Sequence, residues 1–304
     1  MNDEGIHVGG ISGFLKSIGF AIRLNSPTRC IIVFDGNGGS KKRREIFPEY
    51  KKTRKTRIRL NRMYTDISTA DSEDISMKKQ LYKIVDYLKC LPVSILSIDN
   101  IEADDTIAYL ATQGLANDRI TIMSSDKDFY QLVSDRIKVW SPTKKKLYGP
   151  EDIKTEFDIT SNNFIFYRIM DGDVSDNIDG IKGAGIKTII KAFPALKEET
   201  QLKLDDLIKH AEYNIAGLKI YKSVFDNKLI LERNIKLMQL KDVDIPSSAK
   251  FKILDVVKAK TNELNKFKFV QKLTEDKMHG LIPNYHIWIA ETFGALDMNA
   301  RNQL

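Results

Sequence analysis

The chain has 304 residues, long enough for one large domain or two modest ones with a well-stabilised core, and its composition is that of an ordinary globular protein. No apolar run approaches the ~18 residues of a membrane span, and M-N-D-E-G-I-H has no signal-peptide character, so the expectation is a cytoplasmic protein with no membrane partner. The 48 Lys+Arg against 41 Asp+Glu leave a net charge of +7, which by itself fits solubility alone as well as it fits a polyanion partner; because many acids gather in one stretch, the remaining surface is more basic still and suits a polyanion.

Residues 6–23 place Ile11, Phe14, Leu15, Ile18 and Ile22 at helical spacing, which predicts an amphipathic helix against a sheet. R-C-I-I-V-F-D-G, 29–36, reads as a strand buried on both faces with Asp35 at its C-terminal edge, where open parallel sheets form their sites. Cys30 and Cys90 lie in apolar surroundings and read as reduced core residues, without metal spacing or a disulfide framework.

Between Gly36 and Ser76 the composition changes. Residues 37–62 hold a dense set of cations with Phe47 and Tyr50 among them, and an acidic, Ser/Thr-rich stretch follows from Thr65. Such a run is either a solvated loop or a collar over single-stranded nucleic acid, cations on phosphates and aromatics available for stacking; its position right after Asp35 favours the collar.

Further on, Met77–Leu91 reads as an amphipathic helix broken at Pro92, Val93–Ile98 as a strand, Glu102–Leu115 as a helix and Ile120–Ser125 as a strand. Asp128–Val133 reads as a short helix and Ile137–Trp140 as a strand. This alternation predicts an α/β fold, a parallel sheet with helices on both faces. After Pro150 helices dominate, at 150–157, 161–170, 187–192, 201–211 and 225–240. The composition divides into 1–150, 151–240 and a helical 241–304, where Trp288 and Phe293 belong either to a packed cap or to a partner-binding surface.

The chemistry gathers around carboxylates. Glu102, Asp104 and Asp105 head one helix, Asp126 and Asp128 follow a strand, and Asp173 and Asp176 stand three apart, a spacing that puts both on one face of a helix end. With Asp35 that makes eight. Clustered carboxylates raise each other's pKa and stay ionised only beside cations, of which Mg²⁺ is the obvious oxygen-seeking choice. Two such ions ~4 Å apart can activate a water and hold a scissile phosphate. Each acid alone has a simpler explanation, Asp104 or Asp105 facing a helix dipole and Asp126 capping a helix. Taken with Gly180, Gly183 and Gly185, a turn whose free N–H groups welcome a phosphate, they point to one site.

I-E-A-D-D (101–105), S-S-D-K-D-F-Y-Q-L (124–132), G-D-V-S-D-N (172–177) and G-I-K-G-A-G-I-K-T (180–188), with F-D-G (34–36) and F-P-E-Y-K-K-T-R (47–54), resemble the 5′-nuclease family. That family comprises 5′→3′ exonucleases and flap endonucleases, including the nuclease domain of bacterial DNA polymerase I and bacteriophage ribonuclease H enzymes. The resemblance covers about 6–240 and implies a PIN-like core followed by a helical region with a helix-hairpin-helix element at 172–190. It implies that Asp35, Glu102 and Asp104, with Asp105 nearby, serve a first metal, and that Asp126, Asp128, Asp173 and Asp176 serve a second. The metals would be Mg²⁺, with Mn²⁺ an acceptable substitute. Gly180, Lys182, Gly183, Gly185, Lys187 and Thr188 would grip duplex DNA, with a K⁺ ion at the turn. An arch at about 37–76, with Arg43, Lys51, Lys52 and Arg54, would admit the 5′ end and contact the scissile phosphate, and Tyr50 would stack on a base.

The expected activity is structure-specific hydrolysis at the free 5′ end of branched or nicked duplex DNA and RNA-DNA hybrid, removing primers or flaps in replication. A single-strand-binding protein is an expected partner. The family's first strand, which ends in Asp-Gly and adds another metal-site carboxylate, has no counterpart in Met1–Val8. The alternative is therefore a DNA junction-binding protein with impaired catalysis; a PIN-like ribonuclease is less favoured because it has no need of 172–188.

Overall fold

The computed structural model describes residues 1–2, 4–52 and 70–303, without the side chains of Ala70 and Asp71. Arg54 and the middle of the expected arch lie outside the described residues. In chain order the elements are α1 (Gly9–Asn25), β1 (Ile31–Phe34), α2 (Lys41–Ile46), α3 (Ala70–Leu88), β2 (Ser94–Ser97), α4 (Ala103–Tyr109), β3 (Ile120–Met123), β4 (Ile137–Ser141), β5 (Lys146–Tyr148), α5 (Pro150–Phe157), α6 (Phe164–Asp171), α7 (Ile186–Ala192), α8 (Leu204–Tyr213), α9 (Lys219–Asp226), α10 (Lys228–Met238), α11 (Ser247–Lys258), α12 (Lys266–Glu275) and α13 (Tyr285–Arg301). The expected mixed α/β class holds, with a small parallel pairing and many helices. Two compact units, both discontinuous in sequence, divide the chain: Met1–Val33, Lys55–Leu96 where described, and Asp255–Leu304 in one, Phe34–Arg54 where described and Ser97–Leu254 in the other.

In the first unit α1 buries Ile11, Leu15, Ile18 and Ile22 of the stripe its spacing predicts and leaves Phe14 half-buried, and it packs mainly on α3 and α13 rather than on a sheet. A Cβ on Gly19 would lie 2.7 Å from the Trp288 ring, so glycine is what lets α13 approach. Trp288, half-buried, stacks edge-on against Phe293, whose side chain is fully buried. Arg29 donates to the carbonyls of Val256 and Ala259, capping the end of α11. β1 and β2 pair with each other. The double burial expected of β1 is not observed: its four residues are half-buried, because among the described strands it has one hydrogen-bonded neighbour and hence an open edge.

In the second unit β3 and β4 run parallel, Ile120 opposite Ile137 and Met123 opposite Trp140. β5, too short to show a period, returns antiparallel with Val139 opposite Tyr148. Tyr130, Tyr148, Phe157 and Phe164 form the aromatic centre, the closest ring pair 4.6 Å apart. The predicted helix 102–115 is α4 for its first half and a π-helical turn, Leu110–Gly114, for its second. Two ties hold α10 and the residues just after it over the centre of the unit. Buried Asn234 donates to the carbonyls of Ile169 and Asp179, and Gln131 bonds the backbone of Met238 and Leu240.

Candidate active site

Three helix starts in the second unit present the carboxylates. Glu102 stands in extended conformation just ahead of α4 without a side-chain capping bond, and Asp104 and Asp105 fall in the first turn of the helix. After β3 the chain turns, Asp126 accepts from the Asp128 N–H at 2.8 Å, and a 3-10 turn runs from Lys127 to Leu132. Asp173 caps the 3-10 turn Val174–Asp176, its Oδ1 accepting from Ser175 N at 2.8 Å and Asp176 N at 3.2 Å. At each start the N–H groups have no partner within the helix and favour negative charge, which offsets part of the cost of crowding acids together.

Asp104, Asp126, Asp128 and Asp176 line one cavity with Arg43 and Tyr50, its apolar wall made by Ile178, Leu237, Met238 and Leu240. Burial, reinforced by the charge of Asp126, pushes the Asp104 carboxyl up to about 7. Burial likewise pushes Asp128 up to about 7, against the pull of Arg168. Burial works against ionised Asp173 as well, yet the Ser175 hydroxyl and the Arg168 charge hold it below the usual carboxylate range. In such an acid-lined pocket an opposite charge nearby would favour the ionised form of both carboxyls.

The other expected carboxylates are engaged by the chain itself. Arg43 donates to Glu102 at 2.9 Å and grips both oxygens of Asp105, at 2.7 and 2.8 Å, while its Nε donates to the Leu237 carbonyl. Lys51 donates to the second Glu102 oxygen at 2.7 Å. Asp35 is exposed and accepts from Ala103 N at 2.8 Å, so it serves α4 rather than the cavity. Of the set expected for a first metal, Asp104 alone lines the cavity, and among the described residues no three carboxylates, histidines or cysteines converge as a ready metal site.

Two expected DNA contacts are corrected. Tyr50 is no exposed stacking platform: it is 3% accessible and its hydroxyl donates to Glu102 at 3.0 Å. Arg43, 9% accessible, is turned inward, because buried Glu102 and half-buried Asp105 have first claim on its guanidinium. Lys51 is half-buried, and exposed Lys52 pairs with Glu49. In the glycine turn, Lys182, Gly183, Gly185, Lys187 and Thr188 are all exposed. Gly183 alone of its three glycines has a positive φ, 82°. Gly180 has another reason: its Cβ would lie 2.3 Å from the Asp171 carbonyl oxygen, where two backbone segments cross.

Sequence reasoning missed Arg168. Its signal was present, an arginine inside the apolar run F-I-F-Y-R-I-M of α6, which can be buried there only with acidic partners. The apolar wall from Leu237 to Leu240 left no such mark.

Residues 1–158 match the family described as 5′-3′ exonuclease, N-terminal resolvase-like domain. The 5′-3′ exonuclease of Aquifex aeolicus is 30% identical over 281 residues, 92% of this chain and 86% of that protein. DNA polymerase I of Bacillus caldotenax is 29% identical over 196 residues, 62% of this chain but 20% of the polymerase, so the likeness takes in a fifth of that polypeptide. A bacteriophage T5 flap endonuclease, solved as a pseudo-enzyme-product complex with DNA and metal ions, shares the fold with TM-score 0.60 at 20% identity, over 88% of this chain and 91% of that one.

Proposed function

The chain belongs to the 5′-3′ exonuclease family, and we propose that it is a divalent-metal-dependent 5′ nuclease acting at the free 5′ end of branched or nicked duplexes, removing RNA primers or 5′ flaps during replication. The observation that carries this reading is that Asp104, Asp126, Asp128 and Asp176, drawn from three segments, all line one cavity, although they do not converge as a ready metal site. Hard carboxylate oxygens in an apolar-walled pocket fit Mg²⁺ or Mn²⁺, and these four residues would hold the ions. Bound there, the ions would lower the pKa of the attacking water and neutralise charge on the scissile phosphate.

The remaining work falls to the chain's own groups. Lys51 lies between Glu102 and the cavity-lining Asp176, placed to exchange a carboxylate partner for a substrate phosphate. The exposed 182–188 turn offers backbone N–H groups with Lys182 and Lys187 to the duplex backbone, contacts that position without reading sequence. The metal ions and DNA held by the T5 relative are consistent with this assignment.

The test is cleavage of a 5′-labelled flap with Mg²⁺, using the chain beside an Asp126→Asn/Asp176→Asn variant. Product that requires Mg²⁺ and is lost in the variant supports the reading; product that persists in the variant overturns it. A second reading, a junction-binding protein without catalysis, is favoured by the engagement of Asp35, Glu102 and Asp105 with the chain's own groups. Tight duplex binding with no Mg²⁺-dependent product would select it.

A further inference from the structure

Arg168 sits in the last turn of α6, 4% accessible, on a helix otherwise buried almost throughout. Its Nε donates to Asp128 Oδ1 at 2.6 Å, one Nη to Asp173 Oδ2 at 2.9 Å, and the other Nη to the Gly172 carbonyl at 3.2 Å, with Asp171 3.5 Å away. One guanidinium thus ties a carboxylate that follows β3 to one that follows α6. Burying such a charge carries a large desolvation penalty that its pairs must offset, and an apolar side chain would suit this helix better for stability alone.

What the arginine arranges is specific. Asp128 lines the cavity and is held directly. Asp173 does not line it; its Oδ2 is held by Arg168, while its Oδ1 accepts from Ser175 N, the Ser175 hydroxyl at 2.7 Å and Asp176 N. Its orientation is therefore over-determined, and with it the short turn that delivers Asp176 to the cavity. The bonds run from Arg168 to Asp128 on one side, and from Arg168 through Asp173 to the Asp176 backbone on the other.

We propose that Arg168 is a positioning residue that sets the spacing of Asp128 and Asp176 across the cavity, and so the cation affinity and turnover of the site without touching substrate. This rests on the metal-dependent reading above. The planar fork is essential, since lysine has the charge but cannot hold two carboxylates and a carbonyl in fixed directions. Partners that orient metal-holding side chains typically alter metal affinity or activity by about 10–100-fold when removed.

The experiment uses the full chain with Arg168→Met and Arg168→Lys, each checked for folding by circular dichroism. It measures Mn²⁺ binding by electron paramagnetic resonance in the absence of DNA, and kcat and KM on the flap substrate. The expected result for Arg168→Met is a Mn²⁺ affinity about 10-fold or more weaker and a kcat about 10–100-fold lower, with KM within about 2-fold of the original, and Arg168→Lys in between. Unchanged Mn²⁺ binding in folded Arg168→Met overturns the proposal, as does a loss confined to KM. Failure of both variants to fold also overturns it, making Arg168 a core residue only. If the original chain binds Mn²⁺ but does not cleave, the nuclease reading falls while the binding comparison still decides the role of Arg168.

Discussion

Lys51 is joined to Asp176 twice: its backbone N–H donates to the Asp176 carbonyl at 2.9 Å, and its ammonium lies 4.0 Å from the Asp176 carboxylate. Lys51 adopts a left-handed conformation, φ 57°, and nearby the Asn177 side chain donates to the Glu49 carbonyl. The end of the described basic stretch is thus docked on the loop that brings a carboxylate to the cavity.

Replacing Lys51 with alanine removes the ammonium but leaves Glu102 its bonds from Arg43 and Tyr50. The fold is expected to survive and duplex binding to change little. On the nuclease reading, kcat in the flap assay should fall by about 10²-fold, the usual loss when a cation facing developing phosphate charge is removed.

Arg43→Met is expected to be strongly destabilising, because Asp105 and Glu102 lose their guanidinium partner in a buried setting. Breaking one partner from a buried pair costs about 3–5 kcal/mol, measurable as a lower urea midpoint. Adding Asp105→Asn to the same chain should restore part of the loss, since the stranded charge is then gone.

The raised Asp104 carboxyl gives metal-free stability a defined pH dependence. Folded Asp104 keeps its proton up to about 7, whereas the unfolded group releases it near the ordinary value of 3.8. Its stabilising contribution is complete below the unfolded value and is lost as pH rises through the folded one, at most about 1.4 kcal/mol per pH unit. Asp104→Asn should therefore melt at the same temperature as the original chain near pH 4 but higher at pH 8 without metal. Saturating Mg²⁺ at pH 8 should raise the melting temperature of the original chain more than that of the variant, because an ion bound to the folded state stabilises it by mass action and the variant has lost one of the carboxylates that would hold it.

The glycines of the turn should separate by cause. Gly180→Ala places a methyl 2.3 Å from the Asp171 carbonyl oxygen and is expected to cost about 3 kcal/mol or more. Gly183→Ala meets open space but a φ of 82°, and should cost about 1 kcal/mol. Gly185→Ala has neither obstacle and should leave chemical denaturation unchanged, so any loss of duplex affinity there reads out contact with the DNA backbone.

The α/β class and most elements were legible because a helix or strand writes its own period into local residues: α1 buries four of the five residues of its predicted stripe, and α5 spans the predicted 150–157. The carboxylates were legible as candidates for the same local reason, each standing at a helix start or a strand end. Which of them share a cavity was not, since that depends on partners far along the chain. Arg43 claims Glu102 and Asp105, 59 and 62 residues away, and Ala103 N claims Asp35, 68 residues away. Tyr50 looked like a surface aromatic among lysines until Glu102 drew its hydroxyl inward. Residue types at a given spacing supply charge and reach, but which acid stays open to a cation is decided by competition among long-range partners in a buried setting, and that competition exists only once the chain has folded.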